Sequence, residues 1–229
     1  MNLFDLFNRG IFRHKLVSHD VIRRNTMLIK SFTVGQIQTN CYIVTDPTTL
    51  ECAVIDPGAD SNTILNYLDD NKLKCRAVLL THGHFDHTGG VEAVASETGA
   101  KVYMNKKDVR QTAIDIGYHY DPPEGTLFIN EGAEIKVGSL TFKVLETPGH
   151  SEGGVCYICD RALFVGDTLF RDSCGRTDLP GGNGAEIMRS LKKLGQLEGD
   201  YEVYPGHMEW TTLDRERSCN EFMLSAMDE

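Results

Sequence analysis

The stretch Thr81-His82-Gly83-His84-Phe85-Asp86-His87-Thr88-Gly89-Gly90 contains three histidines and one aspartate within six residues. The apolar run before it, residues 77–80, is typical of a short buried strand. Residues 91–98 after it have helical spacing that ends at Gly99. We therefore predict that the cluster lies on a strand-to-helix turn. Because imidazole nitrogen and carboxylate oxygen suit zinc, iron or manganese, the cluster predicts a metal site.

The composition indicates a globular chain with a negative charge. Its 229 residues are enough for one large domain or two small ones, and its contents of 41% hydrophobic and 24% charged residues are ordinary for a globular protein. The 33 acidic residues outnumber the 23 basic ones, which gives a net charge of −10. This charge disfavours nucleic acid and anionic membranes as partners, and no stretch approaches the roughly 18 apolar residues of a membrane span. We expect a small-molecule substrate and neither a nucleic-acid nor a membrane partner.

The seven cysteines do not form the dense framework of a secreted disulfide scaffold. Cys156 and Cys159 match the CxxC pattern, but residues 155–158 are typical of a strand. Positions i and i+3 of a strand point to opposite faces of the sheet, so we do not expect a redox or zinc pair there. The cysteines therefore indicate a reducing, cytoplasmic compartment.

Residues 1–26 form a leader of unknown role, and we predict that the folded domain spans residues 27–229. The leader mixes aromatic and aliphatic residues with arginines, and it lacks both a clean apolar core and a small-residue cleavage site. It is therefore a poor signal peptide. An amphipathic contact helix, a non-native leader and an upstream start ahead of Met27 are alternative explanations.

Apolar patterns and turn residues predict alternating strands and helices in the rest of the chain. The predicted strands are 28–34, 41–45, 52–55, 77–80, 101–104 and 201–204, with hairpins 133–137/140–145 and 154–158/162–165. The first predicted helix is capped by Asp60 or Ser61. Further helices are predicted over 91–98, 106–114, 186–194 and much of 212–227, and residues 117–125 are a predicted loop. Each half of the chain consists of predicted strands followed by helices. This pattern predicts two sheets packed together with helices outside.

A potential metal ligand follows the end of strand after strand. The residues with this property are Asp56, His82, His150, Asp167 and His207. Ligands at strand ends can converge on one rim of a sheet, where open α/β folds place their binding sites. The sequence therefore predicts a single site built from distant parts of the chain.

The order of these residues resembles the metallo-β-lactamase superfamily and its αββα four-layer sandwich, over about residues 27–227. Residues 166–170 and 174–178, Gly-Asp-Thr-Leu-Phe and Cys-Gly-Arg-Thr-Asp, resemble the glyoxalase II-like branch and the related persulfide dioxygenases. Only 22 residues follow His207, so the α-helical glutathione-binding domain of the two-domain enzyme is absent from this sequence. The resemblance is therefore to a single-domain branch.

The resemblance implies seven ligands for two metal ions: His82, His84 and His150 on one ion, Asp86, His87 and His207 on the other, and Asp167 bridging both. Two zinc ions are expected, with iron or manganese as alternatives. Asp86 would also orient the water shared by the two ions, acting as the catalytic carboxylate. Asp56 would support the ligand-bearing loop from behind.

The function implied is hydrolysis of a thioester such as hydroxyacylglutathione, with a metal-bridging hydroxide attacking the carbonyl. The alternatives are a persulfide dioxygenase with one iron held by His82, His150 and Asp167, or a lactonase of the same fold. Arg176 stands where glyoxalase II binds glutathione through a basic residue. An ion pair of Arg176 with Asp178 or Asp172 is the structural alternative.

Overall fold

The computed structural model describes residues 22–23, 27–109 and 119–228, which form two large β-sheets with helices on their outer faces. The first sheet has the strands β1 (Ile22–Arg23), β2 (Leu28–Val34), β3 (Thr39–Thr45), β4 (Glu51–Ile55), β5 (Lys74–Leu79), β6 (Lys101–Met104) and β7 (Leu127–Phe128). They lie in this order across the sheet. The pairs up to β3–β4 are antiparallel, whereas β4, β5, β6 and β7 run parallel.

The second sheet is built from the second half of the chain. Its strands are β8 (Glu134–Val137), β9 (Leu140–Glu146), β10 (Val155–Cys159), β11 (Ala162–Gly166), β14 (Glu202–Pro205) and β15 (Thr211–Thr212). Strands β12 (Leu169–Phe170) and β13 (Ser173–Cys174) form a separate small ribbon. Strand β11 pairs in parallel with β14, and β9 runs in the same direction because β10 is antiparallel to both β9 and β11.

The two sheets pack face to face around a shared apolar core. Side chains from alternate strand positions point into it, as the period of two requires. The first sheet contributes Ile29, Val44, Ile55 and Leu79, and the second contributes Phe142, Val144, Tyr157 and Phe164, all of them buried. A hydrogen bond also joins the two sheets: the Tyr157 hydroxyl of the second sheet donates to the Leu80 carbonyl oxygen, which follows β5 of the first, at 2.7 Å.

Helices cover the outer face of each sheet. The helices are α1 (Ser61–Asp70), α2 (Phe85–Thr88), α3 (Val91–Thr98), α4 (Gly184–Gly195), α5 (Leu213–Cys219) and α6 (Glu221–Asp228). Helices α1 and α3 pack against the first sheet, and α4, α5 and α6 pack against the second. The layers are therefore helix, sheet, sheet and helix, which confirms the predicted αββα sandwich. No helix in the described ranges is both long and apolar enough to span a membrane.

Most predicted strands and both hairpins are confirmed, but the helix ends differ from prediction. Asp60 precedes α1 with a φ of 50° and makes no side-chain cap; its carboxylate accepts a hydrogen bond from the Gly35 N–H instead. The predicted final helix is two helices, because Asn220 has an extended backbone between them. Its side-chain nitrogen donates to the carbonyl oxygens of Phe170 and Ser173, which fixes the break.

Two predicted segments fall partly on residues that the structure does not describe. Of the predicted helix 106–114, Lys106–Asp108 forms a 3-10 turn and Val109 forms a β-bridge with Tyr120, while 110–118 lie outside the described residues. In the described part of the predicted loop 117–125, residues 119–125, Tyr120 is therefore a bridge residue. The leader 1–26 lies outside the described residues except for β1, which pairs with β2.

The CxxC cysteines point to opposite faces of the second sheet, as predicted. Cys156 packs in the apolar cluster beneath α4, whereas Cys159 packs in the core between the sheets. All seven cysteines have free thiols. The motif is therefore part of the packing of the sandwich.

Candidate metal centre

The predicted ligands lie at one edge of the sandwich because of the strand directions. Strands β4 and β5 are parallel, so Asp56 and His82 follow their carboxyl ends at the same edge of the first sheet. Strands β9, β11 and β14 share one direction in the second sheet, and they are followed at their carboxyl ends by His150, Asp167 and His207. The two edges meet, since the Val155 N–H donates to the Thr81 carbonyl oxygen at 2.8 Å.

Three histidines form the first group of converging side chains. Ligand atoms of His82, His84 and His150 all lie within 4.8 Å of one another, and the three side chains are buried. Nδ1 of His84 lies 3.0 Å from Nε2 of His150. The nitrogens therefore surround one point, as the ligands of a metal ion would.

The second group contains Asp86 and His87 of α2 together with His207, again with ligand atoms within 4.8 Å of one another. Nε2 of His207 lies 3.2 Å from Oδ2 of Asp86. Asp167 lies between the groups: one of its oxygens is 3.5 Å from Nε2 of His87, and the other is 3.5 Å from Nε2 of His150. The structure thus brings together all seven residues that sequence reasoning selected as ligands.

Hydrogen bonds to residues outside the cluster determine which nitrogen of the His150 and His87 rings faces inwards. Nδ1 of His150 lies 2.8 Å from the Arg176 carbonyl oxygen. Because a carbonyl can only accept, this nitrogen carries the proton and Nε2 presents its lone pair to the centre. Nδ1 of His87 likewise lies 2.9 Å from an acceptor, Oδ2 of the Asp56 carboxylate. These two contacts therefore orient the His150 and His87 rings for ligation.

Asp56 connects the ligand loop to the second group. Its Oδ1 accepts a hydrogen bond from the Thr81 N–H at 2.8 Å, and its Oδ2 accepts one from the Thr81 hydroxyl at 2.6 Å. The same Oδ2 contacts His87, as described above. Asp56 is buried and has a φ of 49°, so the backbone turns sharply at this residue. Asp56 therefore lies where the resemblance implied, behind the ligands.

Burial lowers the pKa of two histidines of the site, whereas neighbouring carboxylates raise the pKa of a third. Burial, reinforced by neighbouring histidines, lowers the pKa of His82 and lowers that of His84 to about 3. Burial also opposes the charged form of His87, but the carboxylates of Asp167 and Asp56 outweigh it and raise its pKa to about 9. A cation that binds the second group therefore competes with a proton on His87.

The residues present fit bound cations. Nε2 of His82, Nε2 of His87 and Oδ1 of Asp167 are buried polar atoms that make no hydrogen bond. Such atoms are uncommon in folded proteins and call for an explanation such as an ion. A Cβ at Gly206 would collide with Oδ1 of Asp167 and approach within 2.7 Å of Cε1 of His87. Glycine therefore keeps the space beside the cluster open, and nitrogen and carboxylate donors suit divalent transition metals.

Arg176 takes part in the ion pair that was its structural alternative. Its Nε and one terminal nitrogen donate to the two carboxylate oxygens of Asp178, each at 2.7 Å. Both side chains are largely exposed, and the guanidinium lowers the pKa of Asp178 to about 2. The backbone of Arg176 orients His150. The predicted contact between its side chain and a substrate remains a prediction, because an exposed pair of this kind can open.

Asp108 is a residue of the site that the sequence analysis did not select. Its Oδ2 accepts hydrogen bonds from the Gly83 N–H at 2.9 Å and from the Ser151 hydroxyl at 2.8 Å, and its Oδ1 accepts one from the Gly153 N–H at 2.6 Å. Gly83 separates two ligands, and Ser151 follows His150. The buried Asp108 carboxylate therefore joins the two loops that carry the first group. No spacing signal in the sequence marks a lone aspartate on a 3-10 turn.

A profile of the metallo-beta-lactamase superfamily matches residues 34–207. The chain therefore belongs to this superfamily, whose members are mostly metal-dependent hydrolases that bind divalent metal ions through clusters of histidine and aspartate. An uncharacterised protein of Aquifex aeolicus is 39% identical over 86% of this chain and 97% of its own length. The hydroxyacylglutathione hydrolase GloC of Haemophilus influenzae is 29% identical over 87% of this chain and 99% of its own length.

Solved structures agree with this assignment. The B3 metallo-beta-lactamase BLEG-1 superposes with a TM-score of 0.77 and 34% identity, over 85% of this chain and 99% of that one. TTHA1623 in a di-iron-bound form superposes with a TM-score of 0.72 and 34% identity, over 84% of this chain and 98% of that one. Both similarities extend over nearly the whole of the compared protein.

Proposed function

We propose that this protein is a dinuclear metal hydrolase of thioesters, similar to hydroxyacylglutathione hydrolases, with two zinc ions held by the seven ligands. The observation that carries the proposal is the second group of Asp86, His87 and His207, whose ligand atoms also lie within 4.8 Å of one another. A site that holds a single ion would not require this second group of ligands. The further proposal that Asp167 bridges the ions is supported by its position between His87 and His150.

The bound ions would supply positive charge that lowers the pKa of a water molecule and polarises the carbonyl of the substrate. The residues of the chain position the reaction. Burial favours protonation of Asp86, but contacts with His207, His87 and Thr39 outweigh this and lower its pKa, so it stays ionised at neutral pH. Thr39 donates its hydroxyl hydrogen to Oδ2 of Asp86 at 3.0 Å. Asp86 is thus a fixed acceptor that can orient a water molecule and is a weak base for removing its proton.

The comparison with GloC supports a thioester substrate for a chain of this length. That relative is named a hydroxyacylglutathione hydrolase, and the similarity extends over 99% of it. A relative that this chain matches over nearly its whole length therefore has a name that fits a glutathione thioester substrate. Arg176 is the group that we propose for the carboxylate of the thiol carrier, once its pair with Asp178 opens.

Exposed apolar side chains beside the ligands support a substrate with an apolar acyl part. Phe85 lies between His84 and Asp86 in the chain and is 56% exposed, and Met208 follows His207 and is 66% exposed. Exposed apolar groups close to polar ligands are typical of binding grooves. Together with Arg176 they would contact opposite ends of a thioester, the acyl chain and the charged carrier.

A mononuclear iron persulfide dioxygenase is the second candidate. His82, His150 and Asp167 would suffice to hold one iron, and Nε2 of His150 lies 3.5 Å from Oδ2 of Asp167. The sequence from Gly175 to Asp178 also resembles those enzymes. The di-iron form of TTHA1623 and the lactamase BLEG-1 extend the alternatives to two bound iron ions and to β-lactam substrates. A lactone is the further alternative that the sequence resemblance implies.

One set of assays separates these candidates. Protein purified without oxygen and reconstituted separately with zinc, iron or manganese is tested for thiol release from a hydroxyacylglutathione and for hydrolysis of a lactone and a β-lactam. Oxygen uptake with glutathione persulfide is measured in parallel. We expect thiol release to be the fastest reaction and to need no oxygen. Oxygen uptake with one iron per chain, without thioester hydrolysis, would overturn the proposal.

A further inference from the structure

Two cysteines face each other at the end of the first sheet remote from the metal centre. Cys52 of β4 and Cys75 of β5 are direct partners in the register of these parallel strands. Both side chains pack in the same apolar cluster between the sheet and its helices. Neighbouring strands are about 4.8 Å apart, within the range of roughly 4.4–6.8 Å between the Cα atoms of disulfide-bonded cysteines. The backbone therefore already holds the two residues at a distance that a disulfide can span.

The two thiols have different chemical characters. A hydrogen bond from the Cys52 thiol, with further help from Thr98, outweighs burial and lowers the pKa of Cys75. The pKa is raised in every other cysteine of the chain, namely Cys41, Cys52, Cys156, Cys159, Cys174 and Cys219. Because the thiolate is the nucleophile in sulfur exchange, Cys75 is the thiol best prepared to attack.

A surface cleft leads to Cys75. It has a volume of about 730 Å³ and lies between α1, α3 and the start of β5. Cys75 is among its lining residues, beside Lys74, Arg76 and Thr98, and retains 5% of its surface exposed, whereas Cys52 is fully buried. Volumes of about 300–1,000 Å³ are typical of small-molecule sites. The cleft therefore has room for a small disulfide beside Cys75, and its charged lining is mixed, with Lys74 and Arg76 alongside Asp69 and Glu97.

We propose that Cys75 and Cys52 form a thiol–disulfide exchange site that takes low-molecular-weight disulfides. The Cys75 thiolate attacks one sulfur of the small disulfide, forms a mixed disulfide and releases one thiolate. Cys52 then gives up its proton and attacks Sγ of Cys75, which releases the second small thiol. Two protein thiols and one disulfide thus become one protein disulfide and two thiols, with the small disulfide as the oxidant.

The resulting bond would join β4 and β5 at the ends opposite to the metal ligands. Strand β4 runs from Cys52 towards Asp56, and β5 runs from Cys75 towards His82, seven residues or about 23 Å away along an extended chain. The exchange site does not include any residue of the metal centre. Its chemistry can therefore be tested by thiol analysis, whether or not the proposed hydrolase function is correct.

The test uses the full, zinc-loaded chain with Cys174→Ser and Cys219→Ser, which removes the two most exposed thiols and leaves five of the seven. The folded protein is incubated with oxidised glutathione, quenched with acid, and its thiols are counted after denaturation. We expect the count to fall from five to three, with peptide mapping finding Cys52 linked to Cys75. An unchanged count, or a link between other cysteines, would overturn the proposal.

Single variants in this background assign the two roles. Cys52→Ser should accumulate one glutathione on Cys75, because no second thiol resolves the mixed disulfide, and Cys75→Ser should show neither product. Cys159→Ser, buried in the core between the sheets, is the matched control and should still form the bond. Glutathione on a cysteine other than Cys75 in the Cys52→Ser protein would contradict the assignment. If one of these variants does not fold, peptide mapping of the protein with only Cys174→Ser and Cys219→Ser still tests whether Cys52 and Cys75 form a disulfide.

Discussion

Oδ2 of Asp56 lies 2.9 Å from Nδ1 of His87, a member of the second group of ligands, and both side chains are buried. The same carboxylate holds the backbone N–H and the hydroxyl of Thr81, which directly precedes His82. One side chain therefore sets the orientation of a ligand in each group. This relation explains why the two groups face each other at a fixed separation.

We expect Asp56→Asn to weaken zinc binding roughly 10- to 100-fold, because loss of a carboxylate behind a ligating histidine typically has this effect. The measurement is a calorimetric zinc titration. Asp46→Asn is the matched control: Asp46 is also buried and hydrogen-bonded, but to Thr48, Thr49 and Ser139 at the far end of β3. Equal zinc affinity in the Asp56 variant and the parent would contradict the role given to Asp56.

Asp108→Asn should loosen the first group of ligands. An amide cannot accept at both ends, so at least one of the donors Gly83, Ser151 and Gly153 would lose its partner. A lost hydrogen bond at a buried group costs about 1–3 kcal/mol of unfolding free energy. We expect urea denaturation of the zinc-loaded protein to show a loss of this size, together with faster loss of zinc to a chelator. Ser151→Ala removes one donor and should give a smaller effect of the same sign; an unchanged rate of zinc loss in the Asp108 variant would exclude a positioning role.

Sequence reasoning found the parts of the site that carry a spacing signal. The histidine-rich turn and the ligands after successive strands follow from periodicity and residue type, and parallel strands bring these ends to one edge. Asp108 was missed because it acts through backbone N–H groups that any residue could supply. The break at Asn220 was missed for a related reason, since its partners at Phe170 and Ser173 are carbonyl oxygens distant in sequence. Contacts between side chains and distant backbone leave no pattern in the sequence.

The stability of the metal-free protein should have a maximum near pH 6.5. Between pH 3 and 6.5 the unfolded chain protonates His82 and His84 while the folded protein keeps them neutral, so stability rises with pH. Above pH 6.5 the folded protein keeps a proton on His87, whose pKa is about 9, and His207 also has a raised pKa, so stability falls as pH rises to about 9.

Urea denaturation of chelator-treated protein across this range tests the pH dependence. Saturating zinc should flatten the fall above pH 6.5, because the ion replaces the proton on His87. Stability of the metal-free protein that keeps rising from pH 6.5 to 9 would contradict the charge state given to the second group.

The pair of Arg176 and Asp178 gives a test of substrate recognition. If Arg176 binds the carrier, Arg176→Ala should raise KM for a glutathione thioester roughly ten- to a hundred-fold, with a smaller effect on an uncharged thioester. Asp178→Asn should lower KM for the charged substrate, because it removes the competitor for the guanidinium. Equal losses on both substrates in the Arg176 variant would favour a purely structural pair.

The measurement that tests the central claim most directly is the number of zinc ions per chain, set beside the rate of thioester hydrolysis, in the parent and in His207→Ala. Glu209→Ala, which changes an exposed side chain two residues after His207 that pairs with Arg171, is the control. We predict about two ions in the parent and in the control, about one in His207→Ala, and a hydrolysis rate at least about a hundred-fold lower in that variant. One ion per chain in the parent at saturating zinc, or hydrolysis by His207→Ala at the parent rate, would contradict a dinuclear hydrolase.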